Sequence, residues 1–198
     1  MGYANPSSVS RTYLSRTNFL SETSMSKDSS LTGVERFFED DEIIVSKTDL
    51  RGRIIYANKI FLDIADYSEI EVLDQPHSLI RHPKMPRCIF KFLWDTIESG
   101  NEIFAYVINR AKFGDHYWVL AHVTPSFDAE GSVVGYHSSR RVPSNTTITE
   151  TIEPLYAALL AKEEEFEDRK QGLSASTEML LGILKDKGVD YERWVFSI

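Results

Sequence analysis

The chain has 198 residues, which is enough for one domain with extensions, and its 42% hydrophobic and 12% aromatic content is typical of a folded core. A net charge of −8 argues against nucleic acid as a partner, because phosphate backbones select basic surfaces. The single cysteine, Cys88, excludes an internal disulfide framework and a cysteine-based zinc cluster.

The N-terminal part of the sequence predicts no leader and no membrane segment. Residues 1–10, MGYANPSSVS, lack the charged-then-apolar layout of a secretion signal, and no apolar run approaches the roughly 20 residues that span a bilayer. We therefore expect a cytoplasmic protein without membrane insertion. Residues 1–30, rich in Ser, Thr and Asn, predict a disordered tail, and the apolar spacing in residues 31–40 predicts a short helical cap.

From residue 41 the pattern becomes that of a mixed domain. Two β-branched runs joined by a glycine turn are followed by short helical segments, a loop and one longer helix. Three further strand candidates complete the unit, and the segments in order are 42–49, 53–58, 58–73, 75–86, 86–99, 102–112, 115–125 and 131–141. This order predicts an α+β domain over residues 41–142, with a five-stranded antiparallel sheet whose helices cover one face.

Residues 147–187 predict two amphipathic helices. Apolar residues recur at spacings of three and four from Ile148 to Phe166, and again from Leu180 to Leu184. The charged run KEEEFEDRK, residues 162–170, is typical of a solvated helix face. The segment 188–198 is too aromatic for a frayed tail, so we expect it to pack on the domain.

A basic loop leads into the longer helix. Two prolines stiffen RHPKMP, residues 81–86, and place Arg81 and His82 before the helix N-terminus, whose free amides favour anions. Phe90 and Trp94 lie four residues apart and share one helix face. This arrangement predicts either a site for a flat, negatively charged ligand or an ordinary aromatic core with a capped loop.

Several motifs resemble one family. The segment TDLRGRIIYAN, the interrupted helices and the closing strands resemble a PAS sensory domain over about residues 40–142. RHPKMP, Phe90, Leu93-Trp94, Asn109-Arg110 and GDHYW (114–118) resemble the flavin-binding PAS domains of the aerotaxis receptor (Aer) and NifL type. Lys84 stands where that group has an acidic residue, and Glu102-Ile103-Phe104 where it tends to have a tryptophan.

The resemblance implies an FAD pocket. Asn109 matches the asparagine with which light-sensing flavin PAS domains bond the isoalloxazine ring. If Asn109 points inward, strand alternation turns Tyr117 and Arg140 inward as well, and the small residues Ala105 and Ala121 leave room beside them. Arg140 is then either a partner of the flavin edge or an arginine that reaches solvent. Asn58 is either a site residue or a helix N-cap.

The resemblance further implies a redox or oxygen sensor, not an enzyme, that relays the state of FAD to a separate chemoreceptor-like or other output protein. The outward residues Trp118 and Leu120, together with the apolar face from Ile148 to Leu160, need a cover. We expect that cover to be the flanking helices, a second copy in a homodimer, or the partner in a heterodimer.

Two other functions remain open at this point. A haem-binding gas sensor of the same fold would use one of four histidines as its ligand, His77, His82, His116 or His122. A cofactor-free PAS module would serve dimerisation alone. Cys88 lies in PRCIFKFLW, which does not match the NCRFLQ motif of photoreactive cysteines, so we expect no photochemistry.

Overall fold

The computed structural model describes residues 31–198, and the predicted tail of residues 1–30 lies outside this range. A five-stranded antiparallel sheet forms the centre of the domain, in the order β2-β1-β5-β4-β3. Its strands are β1 (Ile44–Thr48), β2 (Ile54–Ala57), β3 (Ile103–Arg110), β4 (His116–Phe127) and β5 (Val133–Arg141). The predicted α+β fold is confirmed.

The helices form two groups. Between β2 and β3 lie α1 (Lys59–Ala65), α2 (Glu69–Val72), a 3₁₀ turn (His77–Ile80) and α3 (Arg87–Glu98). After β5 come α4 (Asn145–Thr147), a π-helical turn (Ile148–Ile152), α5 (Glu153–Glu164), α6 (Arg169–Lys187) and α7 (Tyr191–Ser197). The first group covers the inner face of the sheet, and the second follows the last strand.

The prediction of a helical cap over residues 31–40 is wrong. This segment is extended and pairs with the start of β4: the Thr32 amide donates to the Gly114 carbonyl at 3.1 Å and the Arg36 amide to the His116 carbonyl at 2.7 Å. The Arg36 side chain forms ion pairs with Asp66 and Asp115. A helix of ten residues is marginal alone, and these strand-type bonds and ion pairs favour the extended form.

The C-terminal helices fold back onto the outer face of the sheet. Tyr156 of α5 lies 5.9 Å from Trp118, centroid to centroid, and its hydroxyl donates to the Tyr106 carbonyl at 2.5 Å. Trp118 is consequently only 6% exposed. The chain's own helices, and not a second copy, therefore cover this apolar face. A homodimer through Trp118 and Leu120 would require α5 to leave the sheet.

The C-terminal segment packs as α7, with Tyr191, Trp194 and Val195 buried. Tyr191 lies 4.7 Å from the ring of Phe92 on α3, and Phe196 lies 4.7 Å from Phe104 on β3. The α7 helix thus joins the inner helix α3 to the outer side of β3.

Both edge strands of the sheet carry backbone partners. At β2, the Ile54 amide donates to the Gln75 carbonyl and the Asp74 amide to the Ile54 carbonyl, both at 2.8 Å. At β3, Arg81 forms an isolated antiparallel bridge with Asn109. The loop before α3 is therefore attached directly to the strand that bears Asn109. Among the helices described here, none is long and apolar enough to cross a membrane.

Candidate functional site

A cavity of about 500 Å³ lies between α3 and the inner face of the sheet. Its walls are largely apolar, and those supplied by α3 and the central strands are Leu93, Ile97, Val107, Ala121 and Val123. The strand register explains the space, because Ala105 faces Ala121 across β3 and β4 and neither side chain extends far. A cavity of this size suits a cofactor-sized ligand.

Polar groups converge on this cavity from two strands, β3 and β5. Asn109, Ser138 and Arg140 line it, and each is at most 8% exposed. Each has one buried atom without a hydrogen-bond partner among the described residues: Asn109 Nδ2, Ser138 Oγ and one terminal guanidinium nitrogen of Arg140. Buried polar atoms are rarely left unpaired in native proteins, so these three atoms mark a place for a polar ligand.

Arg140 carries the charge of this group. One terminal nitrogen donates to Ser46 Oγ at 2.8 Å and lies 2.6 Å from His77 Nε2, and the guanidinium stands 5.6 Å from the Phe61 ring centre. It makes no ion pair within residues 31–198. Burial lowers the pKa of Arg140 to about 10, so the group stays a cation at neutral pH. The inward orientation predicted from strand alternation agrees with this position.

His77 stays neutral beside this cation. Burial of the ring, and secondly the positive charge of Arg140, lower the pKa of His77 to about 3. Its Nε2 therefore accepts the hydrogen bond from Arg140. The ring lines the cavity, and its backbone amide is fixed by a 2.8 Å bond to the Gly52 carbonyl.

The aromatic wall comes from α3. Phe90 and Trp94 both line the cavity, as their spacing predicts, and the Arg81 guanidinium stands 4.3 Å from the Phe90 ring centre. Trp94 packs edge-on against Tyr136, with ring centres 5.4 Å apart. Gly52, at φ +73°, turns the β1–β2 hairpin so closely that a β-carbon there would lie 3.0 Å from the Trp94 ring.

Three predicted site residues lie away from the cavity lining. Asn58 caps α1, since its Oδ1 accepts from the Phe61 amide and its Nδ2 donates to the Ile43 carbonyl. Asn58 is thus a structural cap, as its alternative interpretation held. Its position before a helix made both interpretations plausible from sequence alone.

The other two, His82 and Tyr117, are buried behind the lining. His82 Nδ1 accepts from the Lys84 amide at 3.1 Å, and its ring lies 5.7 Å from that of His116. Burial and the neighbouring His116 lower the pKa of His82 to about 4. Tyr117 is fully buried, and burial raises the pKa of its hydroxyl. These residues contribute to the packing that supports the loop and β4.

The N-terminus of α3 already holds a carboxylate. Glu163 Oε1 accepts from the Cys88 amide at 3.0 Å, and its Oε2 accepts from Arg87 Nε at 2.7 Å. The expectation that this helix end offers free amides to an anionic ligand is thus corrected, because the chain's own Glu163 carboxylate takes one of them. Glu163 is 4% exposed, although it belongs to the run predicted to be solvated.

Other lining residues escaped the sequence analysis. Ser46 and Thr48 of β1 face the cavity, and strand alternation in that segment is a signal that could have found them. Leu173 of α6 and Arg87 also line it. No local pattern indicates these two, because their place in the lining depends on how α6 docks against α3.

The histidines do not form a metal site together. Of the four candidates for a haem ligand, only His77 lines the cavity, and its Nε2 is engaged by Arg140 and Ser46. Within residues 31–198 no group of three or more His, Cys, Asp or Glu side chains could hold a metal ion.

Comparisons with known proteins agree with this geometry. Residues 54–140 match the family model described as "PAS fold". The chain is 41% identical to the aerotaxis receptor of Escherichia coli K12 over 122 residues, which is 62% of this chain and 24% of the receptor. It is 30% identical to the nitrogen fixation regulatory protein of Klebsiella pneumoniae over 103 residues, 52% of this chain and 21% of that protein. The chain thus spans about a quarter or less of these relatives.

Among solved structures, the light state of the blue-light photoreceptor Aureochrome1 LOV aligns with 62% of this chain and 91% of its own length. The identity is 24% and the TM-score 0.48, which is too distant to bear on function. A function for this chain is therefore inferred from the cavity and from the two sequence relatives.

Proposed function

We propose that this chain, whose residues 54–140 form a PAS domain, binds FAD in the cavity and acts as a redox or oxygen sensor for a separate signalling partner. The observation that carries the proposal is the convergence of three unpaired buried polar atoms, from Asn109, Ser138 and Arg140, on a cavity bounded by an aromatic helix face. The sequence relatives, an aerotaxis receptor and a nitrogen fixation regulatory protein, support the sensory role.

The donor set fits a flavin. A planar ring with carbonyl and nitrogen groups along one edge needs an apolar slot with donors at its end. The slot is supplied by Trp94, Phe90 and the alanine-lined strands, and the donors are the Asn109 amide and the Arg140 guanidinium. When bound, FAD would supply a centre that takes up and releases electrons.

Arg140 would give this pocket its response to charge. A buried guanidinium without a carboxylate stabilises any negative charge that develops beside it, since the surroundings are poorly screened. Arg81, whose pKa is lowered by burial, adds a second cation to the cavity wall. We therefore assign Arg81, Phe90, Trp94, Asn109 and Arg140 to ligand binding.

The signal would leave through the C-terminal helices. They cover the outer face of the sheet and reach α3, so a change in the cavity wall alters the surface they pack against. The partner would be a chemoreceptor-like or other output protein. The apolar side chains available to it on these helices are Leu181, 49% exposed, and Phe196, 56% exposed.

The proposal is tested by purifying the full chain with added FAD and recording its visible spectrum. We expect the two-peaked absorption of a bound flavin. A colourless protein would contradict FAD binding and leave a cofactor-free module. A Soret band would instead indicate haem.

Two substitutions test the site assignment. Trp94→Ala and Arg81→Ala should lose most of the bound flavin with little change in far-ultraviolet circular dichroism, because each removes a wall or a charge from the cavity. Arg141→Ala and Phe113→Ala, exposed and outside the lining, are the matched controls and should keep it. Stoichiometric FAD in both site variants would disprove the assignment of these two residues.

A further inference from the structure

The C-terminal helices reach the cavity itself. Leu173 of α6 is part of its lining, beside Arg87 and Lys91 of α3. The ligand site is therefore not confined to the segment between β1 and β5. Any ligand large enough to fill the cavity up to this wall lies against a helix outside the PAS match, which ends at residue 140.

Arg87 is held in this wall by α5 and α6. Its Nε donates to Glu163 Oε2 at 2.7 Å, and a terminal nitrogen donates to the Arg169 carbonyl at 2.9 Å. The Glu163 carboxylate is in turn fixed by the Cys88 amide at 3.0 Å and by Ser176 Oγ at 3.1 Å. The Arg87 side chain remains 23% exposed while Glu163 is almost completely buried.

This arrangement has the form of a positioned cation. Two of the three guanidinium nitrogens are engaged by the C-terminal helices, and Arg87 is among the residues that line the cavity. Positioning by a buried carboxylate lowers the entropy lost when an arginine receives an anionic group. Arginine pairs strongly with carboxylate and phosphate groups, and a phosphate is the anionic group that a flavin nucleotide would bring to this wall.

We propose that α5 and α6 complete the binding site: Glu163 holds Arg87 in the cavity wall to receive the phosphate part of FAD, and Leu173 closes the wall beside it. The inference rests on the proposed function. It adds that ligand binding and the docking of these helices stabilise each other, because reciprocal coupling is required whenever one ligand-binding residue is positioned by another element.

The test uses the full chain and two ligands, FAD and riboflavin, which lacks phosphate. The variants are Arg87→Gln, Arg87→Lys, Glu163→Gln and Leu173→Ala, with Leu181→Ala, an exposed position on the same helix, as control. Affinity is measured by flavin fluorescence, and the fold by circular dichroism and thermal melting.

We expect Arg87→Gln and Glu163→Gln to weaken FAD binding by at least about fivefold, the lower end of ordinary coupling between sites. Riboflavin binding should stay within about twofold in Arg87→Gln, and Arg87→Lys should recover part of the affinity for FAD. Leu173→Ala should weaken the binding of both ligands, and Leu181→Ala should leave the binding of both unchanged.

Other outcomes separate the two proposals. If the wild-type chain binds neither flavin, the proposed function fails and this inference fails with it. If the wild type binds FAD and both Arg87→Gln and Glu163→Gln bind it equally well, the function stands and this inference is wrong. Tighter FAD binding by Glu163→Gln would show that the carboxylate competes with the phosphate, which also overturns the proposal. If Glu163→Gln does not fold, the two Arg87 variants test the proposal alone. An FAD affinity relative to riboflavin that is unchanged from the wild type in Arg87→Gln would show that the proposal is wrong.

Discussion

At the scale of single residues, the unusual feature is a buried cation held by neutral groups. Arg140 contacts Ser46, His77 and the face of Phe61, and none of these carries a negative charge. Taking a guanidinium out of water without a counter-charge is costly, and the cost falls when an electron-rich ligand enters. Stability given up at this site is typical of a position kept for binding.

The first prediction concerns His77, the histidine beside Arg140, and the pH dependence of the free energy of unfolding. His77 has a pKa of about 3 when folded and about 6.5 when unfolded, so between these values the unfolded chain binds more protons and stability falls as pH falls. His77→Gln keeps an acceptor for Arg140 and removes this proton. Between pH 6.5 and 5, we expect the free energy of unfolding to fall less steeply in this variant, by up to about 1.4 kcal/mol per pH unit.

Urea unfolding at several pH values measures this slope. His82, whose pKa is lowered to about 4, contributes a similar share, so the His77→Gln/His82→Gln double variant should lose both. Well above pH 6.5 neither histidine contributes to the slope of the free energy of unfolding against pH, because both are then neutral in the folded and the unfolded chain. Identical slopes in the wild type and in His77→Gln would show that His77 is not held neutral by its surroundings.

At the scale of elements, the pairing of α5 with α6 depends on a close approach. A β-carbon at Gly172 would lie 2.3 Å from the Glu163 carbonyl oxygen and 3.3 Å from the Arg87 guanidinium. The absence of a side chain at this one position allows α6 to approach the turn of α5 that carries Glu163. The ion pair with α3 and the helix pair therefore depend on the same contact.

The second prediction concerns this contact. Gly172→Ala should destabilise the chain by about 1–3 kcal/mol, the usual cost of overpacking, because backbone and not a flexible side chain must move. Gly182→Ala on the same helix meets nothing within 4 Å and should stabilise by up to about 1 kcal/mol through helix propensity. Thermal melting of both variants compares the two effects. Equal shifts in the same direction would contradict the close approach.

At the scale of the whole molecule, the domain has one continuous path from cavity to surface. The lining of the cavity includes α3 and α6, α3 contacts α7 through Phe92 and Tyr191, and α5 lies on the outer face of the sheet. A change in the ligand can bias the packing of all three C-terminal helices, since packed elements shift between discrete arrangements.

Hydrogen exchange tests this path. In FAD-loaded protein, residues 147–187 should exchange differently in the oxidised and the reduced state, because the wall formed by Arg87 and Leu173 is shared with the ligand. The exposed β4–β5 turn, residues 128–131, serves as an internal reference that should not change. Identical exchange of residues 147–187 in both states, with a change confined to the loop 81–86, would show that the signal takes another route.

Much of the fold could be read from the sequence, because the information is local. Alternation in β3, β4 and β5 placed Asn109 and Arg140 on the inner face, and the spacing of Phe90 and Trp94 placed both in the cavity wall. The helix predicted for residues 31–40 is absent, since their apolar spacing fits a short helix while the backbone pairs with β4.

The parts of the site that could not be predicted from the sequence depend on contacts between residues far apart in the chain. The charged run contains three consecutive glutamates, residues 163–165, and only the first is buried, because only Glu163 faces Arg87 and Ser176. The position of Leu173 against α3 likewise follows from the way the helices dock. Patterns within one segment cannot specify a contact whose other half lies about 80 residues away.

The covered edges of the sheet restrict how this molecule can meet others. At β2, Asp74 and Gln75 bond both backbone groups of Ile54. At β3, Arg81 bridges to Asn109 and the Tyr156 hydroxyl donates to the Tyr106 carbonyl. These contacts leave fewer backbone groups on the two edges for an incoming peptide or a second copy to pair with. This partial cover favours recognition by a partner through side chains of helices and loops, which allows a contact to be made and released without remodelling the sheet.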